Sequence, residues 1–320
     1  MPSAIARKLY TTVEPGGATR TGILSAIARK HHTIVDPAAC PGRLAAPARL
    51  ARTRLVWLLM RVVPHERMAH WATRGLLRPL ALLTGRGELS ILGGLAHRLR
   101  IEARTFAPWG AQAYAVLTGT HEIQVQQALV RSLRAGDHVW DVGANIGYVA
   151  LVAARIVGSS GRVLAIEPDA GCAAAIRTNA ARNGLASVEV VQAAAADRSG
   201  AAQLVVVRDR LWTRLASVGD HELGERRVAV RTVALDDLDR PPPTVVKIDV
   251  EGAELDVVAG MTRLLRDARP LVICEMHGRN VEFCAAMRAA GYAVSNLDGP
   301  EPVEEAGANV HALCTPRAPA

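Results

Sequence analysis

Two carboxylates and a glycine-bearing bend between them carry the first chemistry in this chain. Asp141 opens the run Asp141-Val-Gly143-Ala144-Asn145-Ile-Gly147, and Glu167 closes the next apolar stretch. Glycine has no Cβ, so the backbone at Gly143 and Gly147 can approach a ligand closely. Asparagine tolerates left-handed backbone better than most residues, which suits Asn145 between them. A helix that starts at such a bend aims its free amides at whatever lies there. A carboxylate at the end of the following strand can accept both hydroxyls of a ribose. These residues, with Ala144 completing the bend, predict a nucleoside ligand.

Two nucleosides compete for the site. A dinucleotide fingerprint needs G-x-G-x-x-G, whereas this bend reads G-x-N-x-G with an acid two residues ahead of it. Asp141 would repel a pyrophosphate and suits a cationic sulfonium with its ammonium. S-adenosylmethionine is therefore the expected cofactor, and a nicotinamide dinucleotide is the alternative.

A second group of ionisable residues follows far downstream. In Val245-Val-Lys247-Ile-Asp249-Val-Glu251-Gly-Ala-Glu254, strand alternation puts Lys247, Asp249 and Glu251 on one side. So many charges at the end of a buried strand are costly unless they pair or act. Glu275 and His277 lie two apart at the end of a further strand, where they suit proton removal from a hydroxyl. The bland alternatives are an internal Lys–carboxylate network and a satisfied edge pair. Glu122, beside His121, precedes a helix over 123–133; it either borders the cofactor or caps that helix. Asp197 follows the third strand, where it would receive an adenine amino group or simply make a turn, since D-R-S-G is turn chemistry.

The elements that would position these groups alternate along the chain. Strands are expected at 139–142, 162–166, 188–192, 245–248 and 271–274, with helices over 170–183, 255–266 and 280–290 between or after them. The runs 203–207 and 227–233 read as an added hairpin. Two final strands at 291–296 and 309–314 add an antiparallel strand at the sheet edge. Alternation of this kind predicts a doubly wound α/β sheet with ligand at the carboxyl ends of its strands.

Composition bounds the rest. Half of the 320 residues are apolar and only 3% are aromatic, so Ala, Val and Leu must build the core. The five cysteines form no C-x-x-C pair, which argues for reduced thiols and against a metal site of the zinc type. The net charge of +8 is uneven: residues 1–100 carry +12 and the remainder −4. The half with the bend is mildly acidic, so no nucleic-acid partner is expected. No apolar run is long enough to span a membrane, and the N-terminus lacks a secretory signal pattern, so a cytoplasmic protein is expected.

The basic arm has its own features. Ser3–Pro15 and Ser25–Pro37 are near copies, read as a short duplication in a poorly ordered arm or a repeated docking motif. Residues 48–63 and 66–77 have helical periodicity with interspersed arginines. They would pack on a neighbouring surface or make a peripheral membrane contact through residues 48–78, with Trp57 or Trp71 at the interface. A basic, helical extension over 1–97 and a catalytic domain over 98–320 is the expected division.

Over residues 98–315 the chain resembles the FkbM-type family of S-adenosylmethionine-dependent methyltransferases. The resemblance rests on Leu117-Thr-Gly-Thr-His-Glu122, Asp141-Val-Gly-Ala-Asn-Ile-Gly147, Ile166-Glu-Pro168, Val233-Ala-Leu-Asp-Asp237, Lys247-Ile-Asp-Val-Glu-Gly-Ala-Glu254 and Ile273-Cys-Glu275. It implies a seven-stranded class I methyltransferase fold and O-methylation of a hydroxyl on a sugar, glycolipid or polyketide-type product. The readings from other classes are an NAD(P)-dependent oxidoreductase and a non-catalytic nucleoside-binding docking protein.

Overall fold

The computed structural model describes residues 88–102, 115–207, 212–215 and 226–318. The duplicated segment, the helices expected at 48–63 and 66–77, and the membrane contact read from 48–78 lie outside those residues.

The described part is a three-layer α/β structure. It opens with a ribbon of β1 (Glu88–Ser90) and antiparallel β2 (Arg100–Glu102). Because β1 pairs with β2, a boundary at residue 97 would cut through this ribbon. Then come α1 (Ile123–Ser132), β3 (His138–Val142), α2 (Tyr148–Val157), β4 (Arg162–Ile166), α3 (Ala170–Asn183) and β5 (Val188–Val191). Short strand β6 (Ala194–Ala195), β7 (Gly200–Val207), β8 (Trp212–Leu215) and β9 (Arg226–Val233) form a separate four-stranded sheet in the order β6-β9-β7-β8. The chain returns through β10 (Val245–Ile248), α4 (Glu254–Ala259), α5 (Thr262–Asp267), β11 (Leu271–Met276), α6 (Asn280–Ala289), β12 (Tyr292–Asn296) and β13 (Val310–Pro316).

The main sheet has seven strands in the order β12-β13-β11-β10-β3-β4-β5. All neighbours are parallel except β13, which runs antiparallel to both β11 and β12. This is the seven-stranded class I methyltransferase arrangement with one reversed strand. The reversed strand does not lie at the edge, as the sequence suggested; β13 is inserted between β11 and β12, and β12 forms the edge.

Alternation along the strands builds two cores. Val139, Val163, Val245 and Ile273 face the layer that holds α1 and α2, while Trp140, Leu164, Val246 and Val272 face the layer of α5 and α6. Helix α2 is apolar on most sides and buries eight of its ten residues, so it is a central packing element and not a surface helix. Helix α3 starts at Asp169, whose Oδ1 accepts the Cys172 N–H at 2.8 Å. The helix expected over 255–266 is split in two. Gly260 lies so close to Ala196 that a methyl there would overlap its carbonyl oxygen, and the chain breaks between α4 and α5 at that contact.

Candidate active site

The site lies at the carboxyl ends of β3, β4, β10 and β11, where the strand order reverses and an open crevice forms. Gly143, Asn145, Glu167, Asp169, Asp249 and Glu251 line it.

The bend is held from both sides. Gly143 has φ +75° and sits against the end of β10, where a Cβ would overlap the carbonyl oxygen of Asp249. Asn145 is left-handed at φ 52°. Glu167 Oε2 accepts the Asn145 N–H at 2.8 Å, and Oε1 accepts the Asp169 N–H at 2.8 Å. Each oxygen keeps a further acceptor position. Burial pushes the Glu167 carboxyl up to about 7, against the opposing pull of those two backbone amides. Glu167 thus ties the bend to the start of α3 and borders the crevice at once.

Beneath the bend lies a cluster of buried charge. Lys247 is 3% exposed, and its Nζ lies 3.1 Å from Asp249 Oδ2, 3.9 Å from Asp141 Oδ1 and 3.9 Å from Glu122 Oε2. Lys247 and Asp141 are register partners on adjacent strands, which brings them together. Burial opposes the lysine's charge, but Asp249, Glu122 and Asp141 outweigh it and hold the ammonium well above its ordinary range. Asp141 is fully buried and is pushed up to about 6 by that burial, with Lys247 opposing. Burial works to raise Glu122 too, yet Lys247 and His121 hold it well below the usual carboxylate range.

Glu122 occupies the N-cap position of α1 but makes no capping hydrogen bond. Its side chain turns instead toward Lys247 and toward His121 Nε2 at 3.2 Å. His121 packs edge-on against Tyr148, and Gln126 bonds both the His121 carbonyl and the Tyr148 hydroxyl. The lead-in to α1 is thereby fastened to the start of α2.

A second ionisable group adjoins the first. His277 Nδ1 lies 2.8 Å from Glu254 Oε1, and its Nε2 lies 3.4 Å from Glu251, 3.8 Å from Asp249 and 3.9 Å from Glu275. Burial lowers the His277 pKa less than Glu254, Glu251 and Asp249 raise it, so it rises to about 9. Burial pushes Glu251 up to about 7, with His277 opposing, and raises Glu275 as well, with Asp249 adding to it. Glu251 is left-handed, at φ 54°.

The structure therefore brings Glu122, Asp141, Gly143, Ala144, Asn145, Gly147, Glu167, Asp249, Glu251, Glu275 and His277 to one end of the sheet. Asp197 stands apart. The third strand ends at Val191, and Ala194–Ala195 cross to the second sheet and line the crevice themselves. Asp197 is 48% exposed, pairs with Arg198 at 3.9 Å and does not line the crevice. His311 was missed. It pairs in register with Glu275, places Nε2 3.7 Å from Glu275 Oε2, and is held at Nδ1 by Asp298 at 2.9 Å. A histidine in the otherwise apolar run Val310-His-Ala-Leu-Cys314 was the available signal.

The residues fit a sulfonium nucleoside. Glu122 Oε2 and both Asp141 oxygens are buried without a hydrogen-bond partner among the described residues; Lys247 lies 3.9 Å from each residue as their cation, and they add negative charge beneath the bend without lining the crevice. Glu167 offers acceptors for a diol across the same crevice. Donor affinity should rise with pH through about 7 as Glu167 ionises, and level off above it. Asp141 ionises in the same window and acts in the same direction. Calorimetry of Glu167→Gln against the native protein isolates the Glu167 share. The variant should bind roughly 10- to 150-fold more weakly, the equivalent of about 1.5–3 kcal/mol for charge-assisted hydrogen bonds, with a shallower pH slope. Unchanged affinity and slope would remove Glu167 from the ribose.

The chain is similar to several known proteins. Residues 141–294 match the family described as the methyltransferase FkbM domain. Hexuronic acid methyltransferase AglP of Haloferax volcanii is 30% identical over 161 residues, covering 49% of this chain and 62% of that one. Among solved structures, the methyltransferase FkbM of Methylobacillus flagellatus is 17% identical with a TM-score of 0.40, covering 63% of this chain and 53% of that one. An S-adenosylmethionine-dependent O-methyltransferase of Thermotoga maritima is 13% identical with a TM-score of 0.41, covering 69% and 84%. The chain thus spans less than two thirds of the first two of these relatives. Among the described residues no helix is long and apolar enough to cross a membrane.

Proposed function

We propose that this chain, which carries an FkbM methyltransferase domain whose cofactor is S-adenosylmethionine, O-methylates a hydroxyl of a sugar, glycolipid or polyketide-type acceptor. The observation that carries the reading is the grouping of Glu251, Glu275 and His277 beside the nucleoside crevice. The cofactor supplies an electrophilic methyl group on a sulfonium.

The chain's own task is then positioning and proton transfer. Glu167 would hold the cofactor's ribose, and Glu122 and Asp141 would supply negative charge beneath the bend for its cationic end. Lys247 keeps the three carboxylates around it from repelling one another. Glu251, which burial pushes up to about 7, is a proton acceptor for the acceptor hydroxyl near neutral pH, and Glu275, also raised by burial, stands beside it as a second. His277 is cationic there, held by Glu254, and orients the carboxylates that surround its Nε2.

A sugar or uronic-acid acceptor is favoured by the Haloferax relative, whose name assigns it hexuronic acid. Methyl transfer from labelled donor to a panel of free sugars, uronic acids and lipid-linked sugars tests the reading. Glu251→Gln and Glu275→Gln should each lower kcat by roughly 10²- to 10⁴-fold, the usual contribution of a general base, while donor affinity stays within a few-fold. Full turnover in both would exclude them as bases. Tight binding of a nicotinamide dinucleotide in place of the sulfonium nucleoside would overturn the reading itself.

A further inference from the structure

We infer that the carboxylate–imidazole group beside the crevice is a binding site for one divalent cation, held by Asp249 and Glu251 after β10 and His277 after β11. The role given to it below rests on the proposed acceptor site; the binding itself does not.

The first observation is convergence. One ligand atom from each of the three residues lies within 4.8 Å of the other two. His277 Nε2 is 3.4 Å from Glu251 Oε2 and 3.8 Å from Asp249 Oδ1. Ligands bonded at about 2.1 Å stand roughly 3.0–3.4 Å apart in octahedral or tetrahedral sites, so the group must draw together on a bound ion.

The second observation is the orientation of the ring. Glu254, only 3% exposed, bonds His277 Nδ1 at 2.8 Å. Glu254 accepts the hydrogen bond of Nδ1–H and so aims Nε2 at Asp249, Glu251 and Glu275 at once; a cation bound there would displace the Nε2 proton of the charged ring to solvent. A carboxylate behind a histidine is the usual support of a histidine ligand.

The third observation is unmet charge. Glu122, Asp249 and Glu275 converge in the same way, and Glu122 Oε2 is buried without a hydrogen-bond partner although its side chain is nine-tenths covered. Lys247 supplies one positive charge between Glu122, Asp141 and Asp249. Glu251, Glu254 and Glu275 share His277, and Glu275 is also reached by His311 and Lys247, so the carboxylates of the group still outnumber its cations.

Oxygen ligands with one imidazole and no thiolate suit a hard to borderline ion such as Mn²⁺. A cation there would take the acceptor hydroxyl oxygen as a further ligand and lower its pKa. With the cation bound, Glu251 is a ligand and no longer a base, and the O–H bond breaks with its proton passing to Glu275 alone, which is not among the three ligands. Asp249 and Glu251 line the crevice, so this oxygen would stand at its open end.

The test needs neither donor nor acceptor. Full-length protein is stripped with EDTA, dialysed, and titrated with Mn²⁺ while free Mn²⁺ is followed by electron paramagnetic resonance. One equivalent should bind. His277→Ala and Glu251→Gln should each abolish most of that binding, and Glu254→Gln should weaken it by roughly 10- to 100-fold, as loss of a ligand's support does. Glu189→Gln, on the exposed pair with Arg240, should change nothing. Absence of bound Mn²⁺ at millimolar concentration, or equal binding by the native protein and Glu251→Gln, overturns the inference. Glu251 is a partly exposed loop residue, so its variant decides the matter even where His277→Ala fails to fold.

Discussion

Lys247→Met is expected to lose about 3–5 kcal/mol of stability, the cost of breaking a buried ion pair by removing one partner. For a domain of this size that lowers the melting temperature by on the order of 10 °C. The reason is the company Lys247 keeps. Its ammonium is the counter-charge nearest to Asp141 and Asp249 and shares Glu122 with His121. Methionine fills much of the same volume and supplies no charge.

The pH dependence of the loss has a definite sign. Burial already raises Asp141 above its unfolded value, to about 6. A carboxyl whose folded pKa is raised binds its proton more tightly in the fold, so it destabilises the fold as pH climbs through that window. Without Lys247 the rise is greater, and the neighbouring carboxylates join it. The gap between variant and native protein should therefore narrow as pH falls from about 8 to about 5. A constant gap, or melting curves that superimpose, would show that Lys247 is not the counter-ion of this cluster.

Gly143→Ala should abolish measurable donor binding and cost the fold about 2–5 kcal/mol. Two penalties add there: about 1–2 kcal/mol for a left-handed alanine and about 1–3 kcal/mol for forcing a methyl into a packed contact. The contact is backbone, the Asp249 carbonyl, and cannot rotate away. The bend must shift, and Asn145 then leaves its bond to Glu167. Gly147→Ala is the control. Its φ is also positive, at +85°, but its Cβ would meet only the Ile176 side chain at 3.1 Å. That variant should pay the conformational penalty and keep most of its donor affinity. Equal affinity in both variants would mean that the approach of β10 to the bend does not shape the crevice.

What could be read beforehand was what is local. The bend, Glu167 and the Lys247–Glu254 run each lie within one short stretch, so spacing alone placed them at strand ends. The run 203–207 with 227–233 did pair, as the sequence suggested. Long-range effects were not legible. His311 joins the site only because β13 inserts beside β11 in the register that faces it with Glu275. Glu122 sits at the N-cap of α1 yet gives the helix no side-chain bond, because its carboxylate turns to His121 and buried Lys247. Asp197 lies off the crevice lining because Ala194–Ala195 change sheets, which no alanine run announces. The break between α4 and α5 comes from the packing of Gly260 on Ala196, two segments far apart in the chain.

The inserted position of β13 also orders events during synthesis. The donor half, β3 to β5 with α2 and α3, is complete in the emerging polypeptide well before Val310 is translated. β12 cannot dock until the strand that follows it has come back to fill the gap beside β11. A ribosome-bound chain stalled in between would carry a formed nucleoside crevice and an open β11 edge, with Glu275 lacking its histidine neighbour. Chaperone demand should therefore peak late, in the interval that spans β12 and β13, and not while the first strands are forming.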